Sequence, residues 1–157
     1  MGKVIFLFEK DKLPITKPPG AKISANDIVK AIKSKFNIRW WQFWYDWKIY
    51  IADPYYFPID LSIIEKIKPT FDKQYTLNIF DCDDFSFLKK GYEEELGYRM
   101  HKNYAFGIIW VFSPTKFYGH ALNFFIDANK KLWFYEPQND SYFEEVRDNW
   151  KLILAVV

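Results

Sequence analysis

The chain has 157 residues, half of them apolar and 22% aromatic, which excludes a disordered polypeptide and is enough for one hydrophobic core in a single domain. Its net charge of +2 does not mark a polyanion binder, although residues 1–40 carry nine Lys/Arg against three acids and the remainder thirteen against seventeen. One cysteine excludes an intrachain disulfide and agrees with a reducing compartment.

Lys3–Phe8 reads as a strand. Its apolar run is short and is followed at once by Glu9 and Lys10, so it is not a signal peptide. Pro14, Pro18, Pro19 and Gly20 then demand a loop. Ser24 is a good N-cap, Asp27 suits the positive helix start, and Ile28, Ile32 and Phe36 recur at helical spacing, so a helix runs to about Asn37. Between Arg39 and Ile51, Trp40, Trp41, Trp44 and Trp47 crowd among other aromatics. That segment reads as strand and core packing. Its sharper reading makes Trp40, Trp41 and Trp44 the wall of a peptide or sugar groove, or a stacking platform for bases.

Asp53–Pro58 is a loop, and Ser62-Ile63-Ile64-Glu65 has the form of a capping box opening a short helix that Pro69 stops. Cys82–Leu96 is the strongest predicted helix. Asp81 caps it, Phe85, Leu88, Tyr92 and Leu96 form one stripe, and Gly97 suits a left-handed C-terminal position. After it the pattern turns to strands at Ala105–Phe112, His120–Ile126, Lys131–Glu136 and Trp150–Val157. Helices first and strands last predict an α+β fold with an antiparallel sheet. The longest apolar stretch, Tyr104–Phe112, is far too short to span a bilayer, so no membrane insertion and a cytoplasmic location are expected.

The sole cysteine therefore sits at a helix start. Exposed backbone N–H groups and the helix dipole favour a thiolate there, and the same groups can hold a developing oxyanion. Asp81, Asp83 and Asp84 work in the opposite direction, since negative charge disfavours a second negative charge. They need another role, as helix caps, as cation ligands or as contacts for a basic partner. An inert buried thiol is the plain alternative for Cys82.

His120, Leu122, Phe124 and Ile126 share one strand face. If Asp127-Ala128-Asn129 is a three-residue hairpin loop with Asn129 left-handed, Ile126 pairs with Lys130 and His120 falls opposite Glu136, with Cβ atoms about 5 Å apart. A carboxylate beside a histidine fixes its tautomer and stabilises its charged form, which is the role of the third member of a nucleophilic triad. A one-residue change in the loop would put the two on opposite faces. His101, in a polar connection, reads as a surface residue.

Four blocks, Asp81-Cys82-Asp83-Asp84-Phe85, Tyr104-Ala105-Phe106-Gly107, Gly119-His120-Ala121-Leu122-Asn123 and Glu136-Pro137-Gln138, together resemble the papain-like cysteine protease domain at the C-terminus of fungal chimerolectins of the Marasmius oreades agglutinin type, whose stand-alone relatives occur in phages and bacteria. Order and spacing agree from about residue 50 to 140, and the first 45 residues match least. The resemblance implies a papain-like or transglutaminase-like fold, with a Cys-bearing helix packed on an antiparallel sheet that carries the histidine and the acid. It implies Cys82 as nucleophile, His120 as general base and acid, and Glu136 as orienting carboxylate. It also suggests calcium, with Asp83, Asp84 or Glu136 near the ion. Ser86 stands where the motif usually has alanine. Asn78, Gln74 and Gln138 are candidates for the second oxyanion donor, and Asn123, on the face away from His120, has a structural role.

The expected function is a cysteine peptidase or amidase acting on a peptide or amide substrate through a thioester. Acyl transfer to an amine uses the same triad. The alternative is a non-catalytic binding or structural module on the same fold, virus-encoded proteins included, which the aromatic segment favours. A nucleic-acid-binding protein or nuclease rests only on the basic N-terminal forty residues and the tryptophans.

Overall fold

The computed structural model describes residues 22–39, 41–42, 44, 48–67, 76, 81–147 and 149–157. The expected strand Lys3–Phe8, the proline-rich loop after it, Trp40, Pro69, Gln74 and Asn78 lie outside them. Eleven elements follow along the described residues: β1 (Ile23–Ser24), α1 (Ala25–Lys35), β2 (Ile49–Tyr50), β3 (Tyr55–Tyr56), α2 (Leu61–Ile67), α3 (Cys82–Met100), β4 (Phe106–Ser113), β5 (Tyr118–Ile126), β6 (Leu132–Glu136), β7 (Ser141–Phe143) and β8 (Lys151–Val156). This is a mixed helix-plus-sheet fold, in agreement with the expected α+β class.

Six strands form the main sheet in the order β2-β8-β4-β5-β6-β7, and β1 pairs with β3 apart from it. The pairs from β8 through β7 are antiparallel. The edge pair β2–β8 is parallel, which corrects the expectation of a wholly antiparallel sheet. The long strands are rich in β-branched and aromatic residues, whose bulk packs well on a pleated, buried surface. Their alternation separates two cores. Leu122, Phe124, Ile126 and Phe134 pack on one face with Ile28 and Ile32 of α1. Phe106, Phe125 and Tyr135 pack on the other with Ile63 and Ile64 of α2 and Leu96 of α3. Each such buried side chain contributes roughly 1.5–3 kcal/mol of transfer free energy.

The helix starts follow local chemistry. Ser24 Oγ accepts from the Asp27 N–H at 3.2 Å while Asp27 Oδ2 accepts from the Ser24 N–H at 3.3 Å, a reciprocal capping box. At α2 the predicted box is displaced. Asp60 is the capping residue, accepting from Ile63 N–H at 3.1 Å and from Ser62 Oγ at 2.6 Å, and Ser62 lies inside the helix.

Helix α3 departs from its sequence reading in two ways. It runs a turn past Leu96, to Met100, and His101 takes the left-handed position at φ 51°. Gly97 is there for a different reason. A Cβ on it would lie 2.5 Å from the carbonyl oxygen of Lys102, where the chain folds back on the helix. The buried face is also not the predicted stripe. Phe85 and Leu96 are buried, but Leu88 and Tyr92 are half-buried, and Ser86, Lys89 and Glu93 are fully enclosed. Polar groups survive there because each has a partner. Ser86 Oγ donates to the Cys82 carbonyl at 2.8 Å, Lys89 Nζ pairs with Asp140 at 2.6 Å, and Glu93 pairs with Lys90 at 2.8 Å.

Candidate active site

The hairpin joining β5 to β6 decides where the histidine and the acid stand. The predicted three-residue loop is wrong. Ile126 pairs with Leu132 and Asn123 with Tyr135, so five residues connect the strands, and Lys130 rather than Asn129 takes positive φ, at 62°. The loop is longer by two residues, not one. An even slip keeps every side chain on its face, because strand alternation has period two. In the extension of this register Glu136 stands diagonal to His120 instead of opposite it, a separation that long side chains bridge. His120 Nε2 and Glu136 Oε2 are 2.7 Å apart, with the side chains 17% and 16% exposed. The second carboxylate oxygen, Oε1, accepts from the Gln138 backbone N–H at 3.3 Å.

Paired strands β5 and β6 stop at Asn123–Tyr135, so β5 is open on that side from Leu122 back to Tyr118. Cys82, the first residue of α3, enters there. Its Sγ accepts from the Ala121 N–H at 3.4 Å, and its side chain hydrogen-bonds to His120. Since Nε2 is committed to Glu136, Nδ1 is the ring nitrogen left for the thiol. Cys82, His120 and Glu136 are thus brought together where β5 is open, with Glu136 on the imidazole and the Ala121 N–H on the sulfur.

Burial works against a charged His120. Hydrogen bonds to Cys82 and Glu136, with the charges of both, outweigh it and push the imidazole up to about 9. Trp150, 6% exposed, flanks the imidazole with ring centroids 6.1 Å apart, and Tyr118 flanks it at 6.4 Å.

The acidic motif resolves into separate roles. Asp84 Oδ2 accepts from the Asp81 N–H at 3.0 Å, the return half of a capping box. Asp83 shares a hydrogen bond with Asp81, which together with burial raises its carboxyl above the usual range. Ligand atoms of Asp81, Cys82 and Asp83 lie within 4.8 Å of one another. Two facing carboxylates that share a hydrogen bond offer a place for a proton or a hard cation between them. Of the two predicted metal ligands, Asp83 belongs to this group, and Asp84 is turned back onto the helix start.

Other predicted site residues are placed as follows. The Gln138 backbone supports Glu136, and its side chain is exposed. Trp41 and Trp44 are 46% and 50% exposed, contrary to their reading as strand and core. Gln42, between them in sequence, lines a cleft of about 390 Å³ with Lys35, Asn37 and Trp150, so this segment borders the residue that flanks His120. His101 is exposed, as expected. Asn123 is fully buried and its Nδ2 donates to the Ser86 carbonyl at 3.0 Å and the Gly107 carbonyl at 3.2 Å, tying α3 to β4.

Sequence reasoning missed Ala121, whose backbone N–H touches the thiol, and Trp150, read only as the start of a strand. It also missed Lys89 and Asp140, which are distant in sequence and bear no motif.

A model of the agglutinin C-terminal family matches residues 56–142, more than half of the chain. The chain belongs to the agglutinin C-terminal family. All four sequence blocks fall inside the matched span, as do Cys82, His120, Glu136 and the whole of α3. No curated protein matches the chain. Among solved structures, a complex of PSL1a with E64 is similar at TM-score 0.65 and 21% identity, covering 87% of this chain and 51% of that one. The Polyporus squamosus lectin bound to the human-type influenza-binding epitope Neu5Acα2-6Galβ1-4GlcNAc is similar at TM-score 0.70 and 21% identity, covering 87% of this chain and 49% of that one. This member of the family therefore shares their fold and spans about half of their length. No helix among its described residues is long and apolar enough to cross a membrane.

Proposed function

We propose that the chain is a cysteine-dependent peptidase or amidase on a papain-like fold, with Cys82 as nucleophile, His120 as acid and base and Glu136 as the orienting carboxylate. The observation that carries this reading is the His120–Glu136 pair at 2.7 Å, set beside Ala121, whose N–H meets the Cys82 sulfur at the start of a helix. Structural cysteines do not need a charged imidazole beside them; nucleophilic ones do.

The chemistry follows from the charges. At neutral pH His120 is an imidazolium, which with the Ala121 N–H supports a thiolate at Cys82. The thiolate attacks an amide carbonyl and forms a C–S bond. The backbone N–H groups at the start of α3 face the developing oxyanion. As the C–N bond breaks, the imidazolium gives its proton to the leaving amine, and a thioester remains. Acylation removes the sulfur's charge and its hydrogen bond, two of the interactions that hold the proton on His120. The imidazole then titrates lower and takes a proton from water, which attacks the thioester and returns Cys82 as thiolate. Calcium, where bound, would be held by Asp81 and Asp83 and would supply positive charge that offsets the acidity around the thiol.

The test is Cys82→Ser together with labelling by iodoacetamide and by E64, an epoxide that alkylates thiolates. Wild type should label at Cys82 and cleave a generic peptide or amide library, and Cys82→Ser should do neither. Undiminished turnover in Cys82→Ser would end the hydrolase reading.

A second reading is a non-catalytic binding module, and the comparisons favour it at least as well. One similar structure is a lectin bound to a sialylated trisaccharide, and Trp41 and Trp44 are exposed aromatics of the kind that stack on sugar rings. Glycan-array binding that survives Cys82→Ser, in a protein whose thiol does not label, would establish this reading in place of the first.

A further inference from the structure

A charged cluster behind the triad joins the helix that carries the nucleophile to the turn that carries the acid. Lys89 lies two turns along α3 from Cys82, and its side chain has no solvent exposure. Its Nζ pairs with Asp140 at 2.6 Å and stands 5.5 Å from the centre of the Tyr135 ring. The Tyr135 hydroxyl donates to the same Asp140 oxygen. Asp140 closes the turn after Glu136, where β6 and β7 pair Glu136 with Ser141. It does so at φ 57°, in the left-handed region that an L-residue other than glycine enters only at a cost, though Asp and Asn tolerate it best.

This turn is short, and little else bonds it. Gln138 N–H reaches back to Glu136 and Ser141 N–H to Asn139 Oδ1. A buried ammonium is costly unless it is paired. Its natural place would be solvent, yet here it is enclosed and its charge is paired at a turn four residues from the triad acid. Tyr135 is the immediate neighbour of Glu136, and its hydroxyl and Lys89 meet on one Asp140 oxygen, so the acid's segment is closed between Tyr135 and Asp140.

Resting on the triad reading, we propose that Lys89 and Asp140 are positioning residues that clamp the β6–β7 turn to the nucleophile's own helix, so that Glu136 stays within hydrogen-bond reach of His120 when substrate enters. Neither touches the reacting atoms. Their effect passes through Glu136 to the imidazole.

The test combines Lys89→Met with Glu136→Gln. Methionine keeps the packed stem and removes the charge, and the Asp140 left behind is 36% exposed and can be hydrated. Two quantities are read: the His120 titration midpoint by imidazole NMR, and the rate of Cys82 alkylation by iodoacetamide. Folding is checked by thermal melting. Lys89→Met should lower the His120 midpoint by about one pH unit, a tenfold change in proton affinity, and slow alkylation. In the Glu136→Gln background the same substitution should change neither, because the path to the imidazole is already cut. Asp140→Asn, which keeps the left-handed preference and an acceptor for Tyr135, should reproduce the Lys89→Met shift and serves where that variant does not fold.

A folded Lys89→Met or Asp140→Asn with an unchanged His120 midpoint overturns the proposal. So does an equal drop in melting temperature and midpoint with and without Glu136. Absence of alkylation in wild type would instead strike at the triad reading, while the NMR cycle would still report on the clamp.

Discussion

Replacing Glu136 by Gln tests the electrostatics of the site most directly. The substitution keeps the length and an acceptor for His120 Nε2, and removes one negative charge 2.7 Å away. In wild type the imidazole titrates at about 9 against an ordinary 6.5, although burial opposes its charge. That gap corresponds to about 3 kcal/mol. Four interactions produce it, two from Cys82 and two from Glu136. Losing the charge and weakening the hydrogen bond should lower the midpoint by about one to two pH units, on the order of 1.4–3 kcal/mol. The sign for stability follows. A histidine whose folded value is raised stabilises fully below about pH 6.5, and this contribution is lost as pH rises through about 9. Wild-type stability should therefore decline between those limits, and in Glu136→Gln the decline should be smaller and finish earlier. Imidazole NMR on labelled protein gives the midpoint, and urea denaturation at several pH values gives the slope. A midpoint in Glu136→Gln within half a unit of wild type would refute the reasoning, because the acid would then not be coupled to the ring.

Two further predictions concern the frame. A Cβ on Gly107 would lie 2.4 Å from the Val156 carbonyl oxygen and 2.6 Å from the Phe124 ring, so Gly107→Ala should cost about 3 kcal/mol or more, read by chemical denaturation; a loss under about 1 kcal/mol would show that β4 and β8 part easily. Burial pushes the Glu93 carboxyl up to about 7 against the pull of Lys90. Between pH 4.5 and 7 the folded protein holds a proton that the unfolded chain has released, so stability falls as pH rises. Glu93→Gln should flatten that slope, by about 2–3 kcal/mol across the window. Lys90 keeps Glu94 at 2.7 Å as a partner in the variant. Equal slopes in the two proteins, measured from pH 5 to 6.5, would contradict this account.

Features set by neighbours in sequence were legible. Asp81 capping Cys82, the stripe of α1 and the four long strands depend on local chemistry and on period, which a chain displays directly. The expected nearness of His120 and Glu136 outlasted a wrong loop because the error was two residues, and an even slip preserves the face. Positions decided by distant partners were not legible. Gly97 reads as a helix stop, since its true constraint is the Lys102 carbonyl brought against it by the fold. Leu88 and Tyr92 look fully buried by periodicity, and Lys89 and Glu93 look exposed; instead the first two are half-buried and the charged pair is enclosed, because ion pairs formed in space admit charges that a pattern assigns to solvent. The cap of α2 was misread by two residues because Asp60 and Ser62 offer the same kind of oxygen.

The polar underside of α3 has a mechanical consequence. An oily helix face can slide along a sheet with little change in energy, since dispersion contacts are interchangeable. Ser86, Lys89 and Glu93 form directional bonds, and two of them reach Asn123 and Asp140 across the fold. A helix advances 1.5 Å and turns 100° per residue, so a shift of one residue would break both of these cross-fold bonds at once. The helix is therefore indexed like a gear tooth rather than laid in grease. The height of the sulfur above the strands is fixed by that indexing, not by the volume of the core.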